Sequence, residues 1–267
     1  MWAGLTDGVP GKIGPMEIED HLAQLELDGV SLASAAQRTG LDAAVPTCPG
    51  WRVRDLLVHL GYVHRWATTQ VAEARQSMRD GHGEDEVLAG GPDDETLLGW
   101  FLEGHAALVA TLRGADPELS CWTFLPAPSP LAFWARRQAH ETAVHRADVE
   151  LAGGAIDPVE PRFAADGIDE LVMGFAPTGR SRIRIDRRRV LALRAVETGD
   201  EWVIGLGPDR VDTARGAGTG DCRLEGAASD LYLLLWNRLA LAGTDIALDG
   251  EDDLVGLWAE TLRVRWS

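Results

Sequence analysis

The sequence predicts an α+β protein in which an N-terminal four-helix bundle is followed by a smaller C-terminal α/β domain. Apolar residues recur at helical spacing in four segments, which cover residues 17–38, 51–78, 94–113 and 131–152. The stretch GGAIDPVEP at 153–161 then interrupts this period. Beyond it, shorter segments alternate apolar and polar residues as strands do. These observations separate a helical part of the chain from a mixed part.

Loop-forming sequences divide the helical segments from one another. TCPG precedes the second helix, a glycine-rich acidic stretch precedes the third, and GADPELSCWTFLPAPSP precedes the fourth. The last of these is long and rich in proline, which is typical of a loop beside a binding site. We therefore expect the bundle over residues 16–152, with residues 1–15 as an N-terminal extension and residues 153–161 as a linker.

The second domain, residues 162–267, is expected to begin with a helix over 162–175 and to continue as a β-meander. RIRIDRR and VLALRAV alternate like strands, ETGDEW is typical of a hairpin connection, and WVIGLG predicts a third strand. Two later segments, ASDLYLLLWNRLAL and DLVGLWAETLRVRW, have helical patterns. The first is so apolar that we expect it to be buried within this domain.

The composition indicates a globular protein that binds a small molecule. Of the 267 residues, 45% are hydrophobic, which is enough for a packed core. The formal net charge of −17 would repel nucleic acids and anionic membranes over much of the surface. Neither is therefore an expected partner, and a small ligand is favoured.

The compartment expected from the sequence is the cytoplasm. No run approaches the roughly 18–20 apolar residues of a membrane span, and the N-terminus lacks the charged start and apolar centre of a signal peptide. The three cysteines, Cys48, Cys121 and Cys222, are odd in number and far apart. They predict neither a disulfide framework nor a zinc site of paired cysteines, and we expect them to be reduced.

The stretch RRQAHETAVHRADVE concentrates side chains that can bind a metal. His140 and His145 are five positions apart, which places them about 140° apart around a helix, so they do not share one ion as the histidines of a zinc protease do. Glu141 and His145 are four positions apart and lie on nearly the same face. Their stripe also contains Trp134, Arg137, Gln138 and Asp148. A stripe this polar either faces water or lines a polar pocket inside the bundle.

A histidine from another helix would complete a metal site with Glu141 and His145. His59, His64 and His105 each lie on or beside an apolar stripe, so spacing alone does not choose among them. Two imidazoles and one carboxylate hold zinc with open positions for water or substrate, and iron sites use the same ligand types. An open position implies Lewis-acid or nucleophile-activating chemistry.

Three longer motifs are VPTCPGWRVRDLLVHLGYVHRW, FWARRQAHETAVHRADVE and SDLYLLLWNRL. Together they resemble the mycothiol-dependent maleylpyruvate isomerase family, which is related to DinB-like bundle proteins. The resemblance implies a DinB-like four-helix bundle and a C-terminal domain akin to sterol-carrier folds. It also implies that zinc or another divalent metal is held by His59, Glu141 and His145. Arg238, in LLLWNR, matches an arginine of the family that assists catalysis at the substrate.

The chemistry implied by the resemblance uses mycothiol, a sugar-linked cysteine thiol, as the co-substrate. A thiol bound to a divalent cation loses its proton, which would make a thiolate available to a small electrophilic substrate. Addition to a C=C bond, rotation and elimination amount to cis–trans isomerisation, whereas release of the adduct is thiol S-transfer. The two reactions share their first step, so the ligands do not distinguish them.

The alternative is a non-catalytic protein that binds a small molecule or lipid and whose metal only stabilises the bundle. A structural zinc normally has four protein ligands. The resemblance implies three, His59, Glu141 and His145, which leaves a position for a ligand from solution. The enzyme is therefore favoured over the binding protein.

Overall fold

The computed structural model describes residues 16–78, 88, 90–178, 183–262 and 264. The predicted N-terminal extension and most of the acidic loop before the third helix lie outside these residues. Backbone contacts divide the chain into two units. The helical unit contains residues from Met16 to Pro158 together with Trp236–Arg238, and the α/β unit contains Val159–Leu235 and Leu239–Leu262.

Four long helices form the described part of the helical unit: α1 (Ile18–Thr39), α2 (Val53–Ala72), α3 (Asp94–Gly114) and α4 (Pro130–Ala152). The predicted four-helix bundle is confirmed. Helix α2 ends earlier than the predicted residue 78, because Ala74 takes a left-handed conformation with φ 49° that a right-handed helix does not continue through. None of the described helices is apolar over enough residues to cross a membrane.

The four helices share one hydrophobic core. Helix α1 packs against α3 and α4, and α2 packs against the same two helices. Leu32, Leu57, Phe101 and Val149 supply fully buried side chains from α1, α2, α3 and α4, respectively. Burying such a side chain contributes roughly 1.5–3 kcal/mol, so the core fixes the relative positions of the helices.

Helix α4 begins at a strong capping signal and is buried along most of its length. The Ser129 hydroxyl accepts a hydrogen bond from the Ala132 N–H at 3.1 Å, and Pro130 occupies the first turn. Nearly all residues between Leu131 and Glu150 are buried, including the polar ones. The polar stripe of α4 therefore lies inside the bundle, and the alternative that it faces water is wrong.

The α/β unit begins with α5 (Pro161–Asp169), which a π-helical segment, Glu170–Phe175, continues. Its described strands are β1 (Arg189–Ala195), β2 (Glu201–Leu206), β3 (Val211–Arg215), β4 (Cys222–Gly226) and β5 (Ala247–Gly250). They form one sheet in the order β3-β2-β1-β4-β5, in which β1 and β4 are parallel and the other neighbours antiparallel. Two helices, α6 (Ala228–Leu235) and α7 (Asp253–Thr261), accompany the sheet. The predicted α+β fold class is confirmed.

The strands predicted at VLALRAV and WVIGLG are confirmed as β1 and β2, which form an antiparallel hairpin. The described part of RIRIDRR, residues 183–188, is not a strand, so that prediction is wrong. Arg189 pairs with Leu206, and residues before Arg189 would face Gly207 and Pro208 in the same register. Because proline has no N–H to donate to a ladder, the pairing ends at this point.

Helix α6 is shorter than the sequence predicts. It is buried, as expected, but it ends at Leu235 rather than at residue 241. Asn237 takes a left-handed conformation with φ 62°, which stops a right-handed helix. The residues that follow α6, Trp236–Arg238, group with the helical unit. Because α6 ends at Leu235, Arg238 lies outside this helix and belongs to the helical unit.

Candidate metal centre

Two neighbouring helices bring three metal-binding side chains together. His59 belongs to α2, and Glu141 and His145 lie on successive turns of α4. Atom Oε1 of Glu141 is 3.4 Å from Nε2 of His145 and 4.0 Å from Nε2 of His59. One ligand atom from each residue lies within 4.8 Å of the other two. The structure therefore assembles the three residues that the resemblance nominates.

This set of donor atoms fits a divalent metal ion, and zinc in particular. Zinc binds imidazole nitrogen and carboxylate oxygen at about 2.0–2.2 Å, and tetrahedral bonds of that length place neighbouring ligand atoms roughly 3.4 Å apart. The nitrogen–oxygen separations of 3.4 and 4.0 Å are close to that spacing. Three protein ligands also leave a fourth position for water or a substrate.

The second carboxylate oxygen of Glu141 is held by a buried arginine. The Arg137 guanidinium donates to Oε2 of Glu141 at 2.9 Å, and it lies over the Trp236 ring, 5.2 Å from the ring centroid. Burial by itself raises the pKa of Glu141, but hydrogen bonds to His145 and His59 and the charge of Arg137 outweigh it and hold this pKa well below its usual value. Glu141 is therefore an ionised carboxylate whose other oxygen, Oε1, faces the two imidazoles.

The orientation of the His145 ring is set by a carboxylate behind it. Atom Nδ1 of His145 is 2.8 Å from Oδ2 of Asp148. Because an ionised carboxylate only accepts hydrogen bonds, Nδ1 carries the hydrogen and the lone pair for a metal lies on Nε2. Burial opposes a charged ring, but hydrogen bonds to Asp148 and Glu141 outweigh it and raise the pKa of His145 to about 9. A proton on Nε2 therefore competes with a metal ion.

Asp148 in turn pairs with Arg238. Atoms Nε and Nη2 of Arg238 donate to the two carboxylate oxygens of Asp148, each at 2.9 Å, and Nη1 donates to the Trp236 carbonyl at 2.7 Å. Burial opposes ionisation of Asp148, but the Arg238 charge outweighs it and holds the pKa of this carboxyl far below its usual range. The structure thus places Arg238 behind His145, bound to the carboxylate that His145 uses.

The other candidate histidines lie elsewhere in the bundle. Atom Nε2 of His64 is 3.0 Å from the Thr142 hydroxyl, and burial lowers the pKa of His64 well below its usual value. The His105 ring packs beside His64, with centroids 5.3 Å apart. The His140 ring makes an edge contact with His21 at 6.1 Å. Spacing left the choice among His59, His64 and His105 open, and packing places His59 beside Glu141 and His145.

Sequence reasoning missed the residues that support the candidate ligands. Asp148 appears in the polar stripe, and its position three residues after His145 is a signal that the two side chains can meet. The hydroxyl of Thr47 also donates to Asp148, at 2.5 Å, from the loop before α2. No local pattern predicts that contact, because Thr47 and Asp148 are far apart in sequence.

The chain is thus a helical-bundle protein with a candidate metal centre of two imidazoles and one carboxylate, and an α/β unit follows the bundle. Residues 22–150 match the domain described as mycothiol maleylpyruvate isomerase N-terminal, and residues 162–257 match the MDMPI C-terminal domain. Because these matches together cover most of the sequence, the chain belongs to the mycothiol maleylpyruvate isomerase family.

Two solved structures share the fold of the chain. A crystal structure of the mycothiol-dependent maleylpyruvate isomerase aligns over 90% of this chain and 97% of its own, with a TM-score of 0.62 and 13% sequence identity. A histidine-to-alanine mutant of the mycothiol-dependent maleylpyruvate isomerase aligns over 85% and 93%, with a TM-score of 0.60 and 11% identity. At such low identities the likeness shows the fold alone. The curated proteins contain no match to the sequence.

Proposed function

We propose that the chain is a mycothiol-dependent metalloenzyme in which His59, Glu141 and His145 hold zinc or another divalent metal. The observation that carries this proposal is the meeting of two imidazoles and one ionised carboxylate within 4.8 Å. A divalent cation bound there lowers the pKa of a coordinated thiol, so that the thiol reacts as a thiolate. Two solved structures that share this fold are named as mycothiol-dependent maleylpyruvate isomerases, which supports mycothiol as the thiol.

The charges around the site favour anionic ligands. The two arginines, Arg137 and Arg238, balance the two carboxylates, Glu141 and Asp148. A divalent cation bound by neutral imidazoles therefore leaves a net charge of about +2 in a largely buried site. A thiolate and a substrate carboxylate or enolate oxygen would neutralise this charge, which supports a small anionic electrophile as the second substrate.

Arg238 is the chain's candidate for binding that electrophile. Its bonds to Asp148 and to the Trp236 carbonyl use three of the five N–H groups of a guanidinium. Within the described residues, two N–H groups remain for an anionic oxygen of the substrate. A planar arginine fork suits a carboxylate or enolate, because two parallel hydrogen bonds are formed with one group.

The function is tested by asking whether thiol binding requires the metal. Zinc-loaded protein, with about one zinc ion per chain, is expected to bind mycothiol in calorimetry, whereas metal-free protein is expected to bind it at least about 100-fold more weakly. The His59→Ala variant serves as the matched control without metal. Equal mycothiol binding with and without zinc would contradict the proposal. Metal-independent binding of an apolar ligand would instead indicate a carrier protein.

The amount of mycothiol that remains after turnover distinguishes isomerisation from S-transfer. Isomerisation returns mycothiol at the end of each turnover, because elimination reverses the addition. S-transfer consumes one mycothiol for each product molecule. Incubation with mycothiol and maleylpyruvate, followed by thiol titration and product analysis, separates the two. We expect isomerisation with mycothiol conserved, and stoichiometric loss of the thiol would assign S-transfer.

Zinc affinity is expected to rise with pH until about pH 9. Although burial opposes the charged ring, hydrogen bonds to Asp148 and Glu141 raise the pKa of His145 to about 9, so zinc must displace a proton below that pH. The apparent affinity should increase about tenfold per pH unit from pH 7 to 9 and then level off. Competitive zinc titration across this range measures the slope, and calorimetry in buffers of different ionisation enthalpy counts the proton released.

The titration of His145 changes the stability of the metal-free protein in the opposite direction. A raised folded-state pKa means that the charged His145 ring contributes stability below its unfolded value of 6.5, and that this contribution is lost as the pH rises through about 9. Metal-free protein should therefore become less stable over the pH range in which zinc binds more tightly. A zinc affinity that does not change with pH would contradict a pKa of about 9 for His145.

A further inference from the structure

The Asp148 carboxylate is the meeting point of three separate segments of the helical unit. It accepts hydrogen bonds from Thr47 in the loop before α2, from His145 on α4, and from Arg238 after α6. Asp148 itself is fully buried. A carboxylate has about four lone-pair sites, and the four bonds from these partners use all of them. Asp148 therefore has no freedom to rotate without breaking a buried hydrogen bond.

Arg238 contributes the largest share of this restraint. Its two bonds to Asp148 engage both carboxylate oxygens at 2.9 Å, so they fix the plane of the carboxylate as well as its position. Thr47 binds one oxygen, and His145 binds the other. Without the arginine fork, Asp148 would keep Thr47 on one oxygen, and His145 with a weak 3.8 Å contact from the Cys48 thiol on the other, and its plane would be less firmly held.

The backbone places Arg238 for this contact. Helix α6 ends at Leu235, and the left-handed Asn237, with φ 62°, redirects the chain. Arg238 also donates from Nη1 to the Trp236 carbonyl at 2.7 Å, which anchors the guanidinium to its own segment. The guanidinium is therefore held on two sides, by the Trp236 carbonyl and by Asp148.

We propose that Arg238 and Asp148 form a positioning pair that holds the His145 ring with Nε2 directed at Glu141 and His59. The inference rests on the proposed function, because it assigns the pair to a metal site. The inference assigns Arg238 a positioning role that is separate from substrate binding. Partners behind a metal-binding imidazole fix its orientation and tautomer, and their loss lowers metal affinity about 10–100-fold.

A double-mutant cycle on zinc affinity tests the pair. Asp148→Asn and Arg238→Gln are each expected to weaken zinc binding about 10–100-fold, as measured by competition with a chelator. Because Arg238 acts through Asp148, the two losses of zinc affinity should not add. The double variant should bind zinc about as tightly as whichever single variant, Asp148→Asn or Arg238→Gln, has the lower zinc affinity. Arg238→Lys keeps the charge but loses the fork, and it should fall between wild type and Arg238→Gln.

Arg65→Gln is the matched control. Arg65 is a partly buried arginine of the same unit that bonds to the Gly61 and Trp100 carbonyls and lies over the Trp100 ring at 3.8 Å. Its loss should reduce stability without changing zinc affinity. Zinc affinities of Arg238→Gln equal to wild type, or losses that add in the double variant, would overturn the inference.

A second measurement needs no metal. The Nδ1 hydrogen of His145 is present in both protonation states of the ring, and its exchange with water is followed by NMR in metal-free protein. Arg238→Gln should accelerate this exchange at least about tenfold, because the carboxylate that binds the hydrogen is no longer fixed, and Arg65→Gln should leave it unchanged. Unchanged exchange in Arg238→Gln would overturn the inference.

The two measurements separate this inference from the proposed function. If wild-type protein does not bind zinc, the proposed function fails, and the exchange measurement still shows whether Arg238 positions His145. If wild-type protein binds zinc and Arg238→Gln matches it in either measurement, the positioning pair fails and the metal site stands.

Discussion

His59→Ala is expected to lose zinc while keeping its fold, and His64→Ala is expected to lose stability while keeping zinc. His59 supplies one of the three candidate ligands from a partly exposed position on α2. Loss of an outer partner alone lowers metal affinity about 10–100-fold, so loss of a ligand should exceed 100-fold. The affinity is measured by chelator competition, with metal content checked by elemental analysis.

His64 provides the contrast because it lies on the same helix and is fully buried. Its removal leaves a cavity beside Phe101 and an unpaired hydroxyl on Thr142, which should cost about 2–4 kcal/mol of unfolding free energy. Chemical denaturation of the metal-free proteins measures that cost. If His64→Ala lost zinc and His59→Ala retained it, the assignment of the α2 ligand would be reversed.

Glu141→Gln is expected to lower zinc affinity by more than about 100-fold, because the amide keeps the shape of the ligand but removes the charge that offsets a dication. The same change removes the negative charge that pairs with the buried Arg137 guanidinium, and breaking a buried ion pair in this way should cost about 3–5 kcal/mol of unfolding free energy. Zinc affinity and unfolding are therefore measured separately, on protein that circular dichroism shows to be folded.

A double variant separates the two effects of Glu141. Arg137→Gln with Glu141→Gln removes both buried charges, so part of the lost stability should return. Zinc affinity should stay low, because the charged ligand is still absent. Arg137→Gln alone keeps that ligand and should weaken zinc binding only about tenfold. Recovery of zinc affinity together with stability in the double variant would show that Glu141 acts on the fold and not on the metal.

Much of the fold was predictable because the relevant signals are local. Apolar residues at helical spacing predicted α1 to α4, and alternation predicted β1 and β2. Strands β3, β4 and β5 escaped prediction because they are short and partly polar, and their stability depends on pairing. The parallel pairing of β1 with β4 joins Leu191 to Cys222, which no nearby pattern reveals.

The candidate site was likewise predictable only where the signal is local. The spacing of Glu141 and His145 already placed them on one face of a helix, and the structure keeps them there, with a nitrogen–oxygen distance of 3.4 Å. The third member, His59, could not be chosen from spacing, since His64 and His105 have similar apolar neighbours. Packing of α2 against α4 decides which histidine faces Glu141, because it sets the rotation of one helix against the other.

The sequence by itself therefore determined the helical period of the bundle and the face shared by Glu141 and His145. Both follow from the geometry of a single helix, in which residues four apart lie together. Only the tertiary structure decided that Thr47 and Arg238 meet at Asp148, because they approach from loops on either side of it in sequence. Such contacts depend on where a chain ends its helices and on how it buries a charge, and both are properties of the whole packed unit.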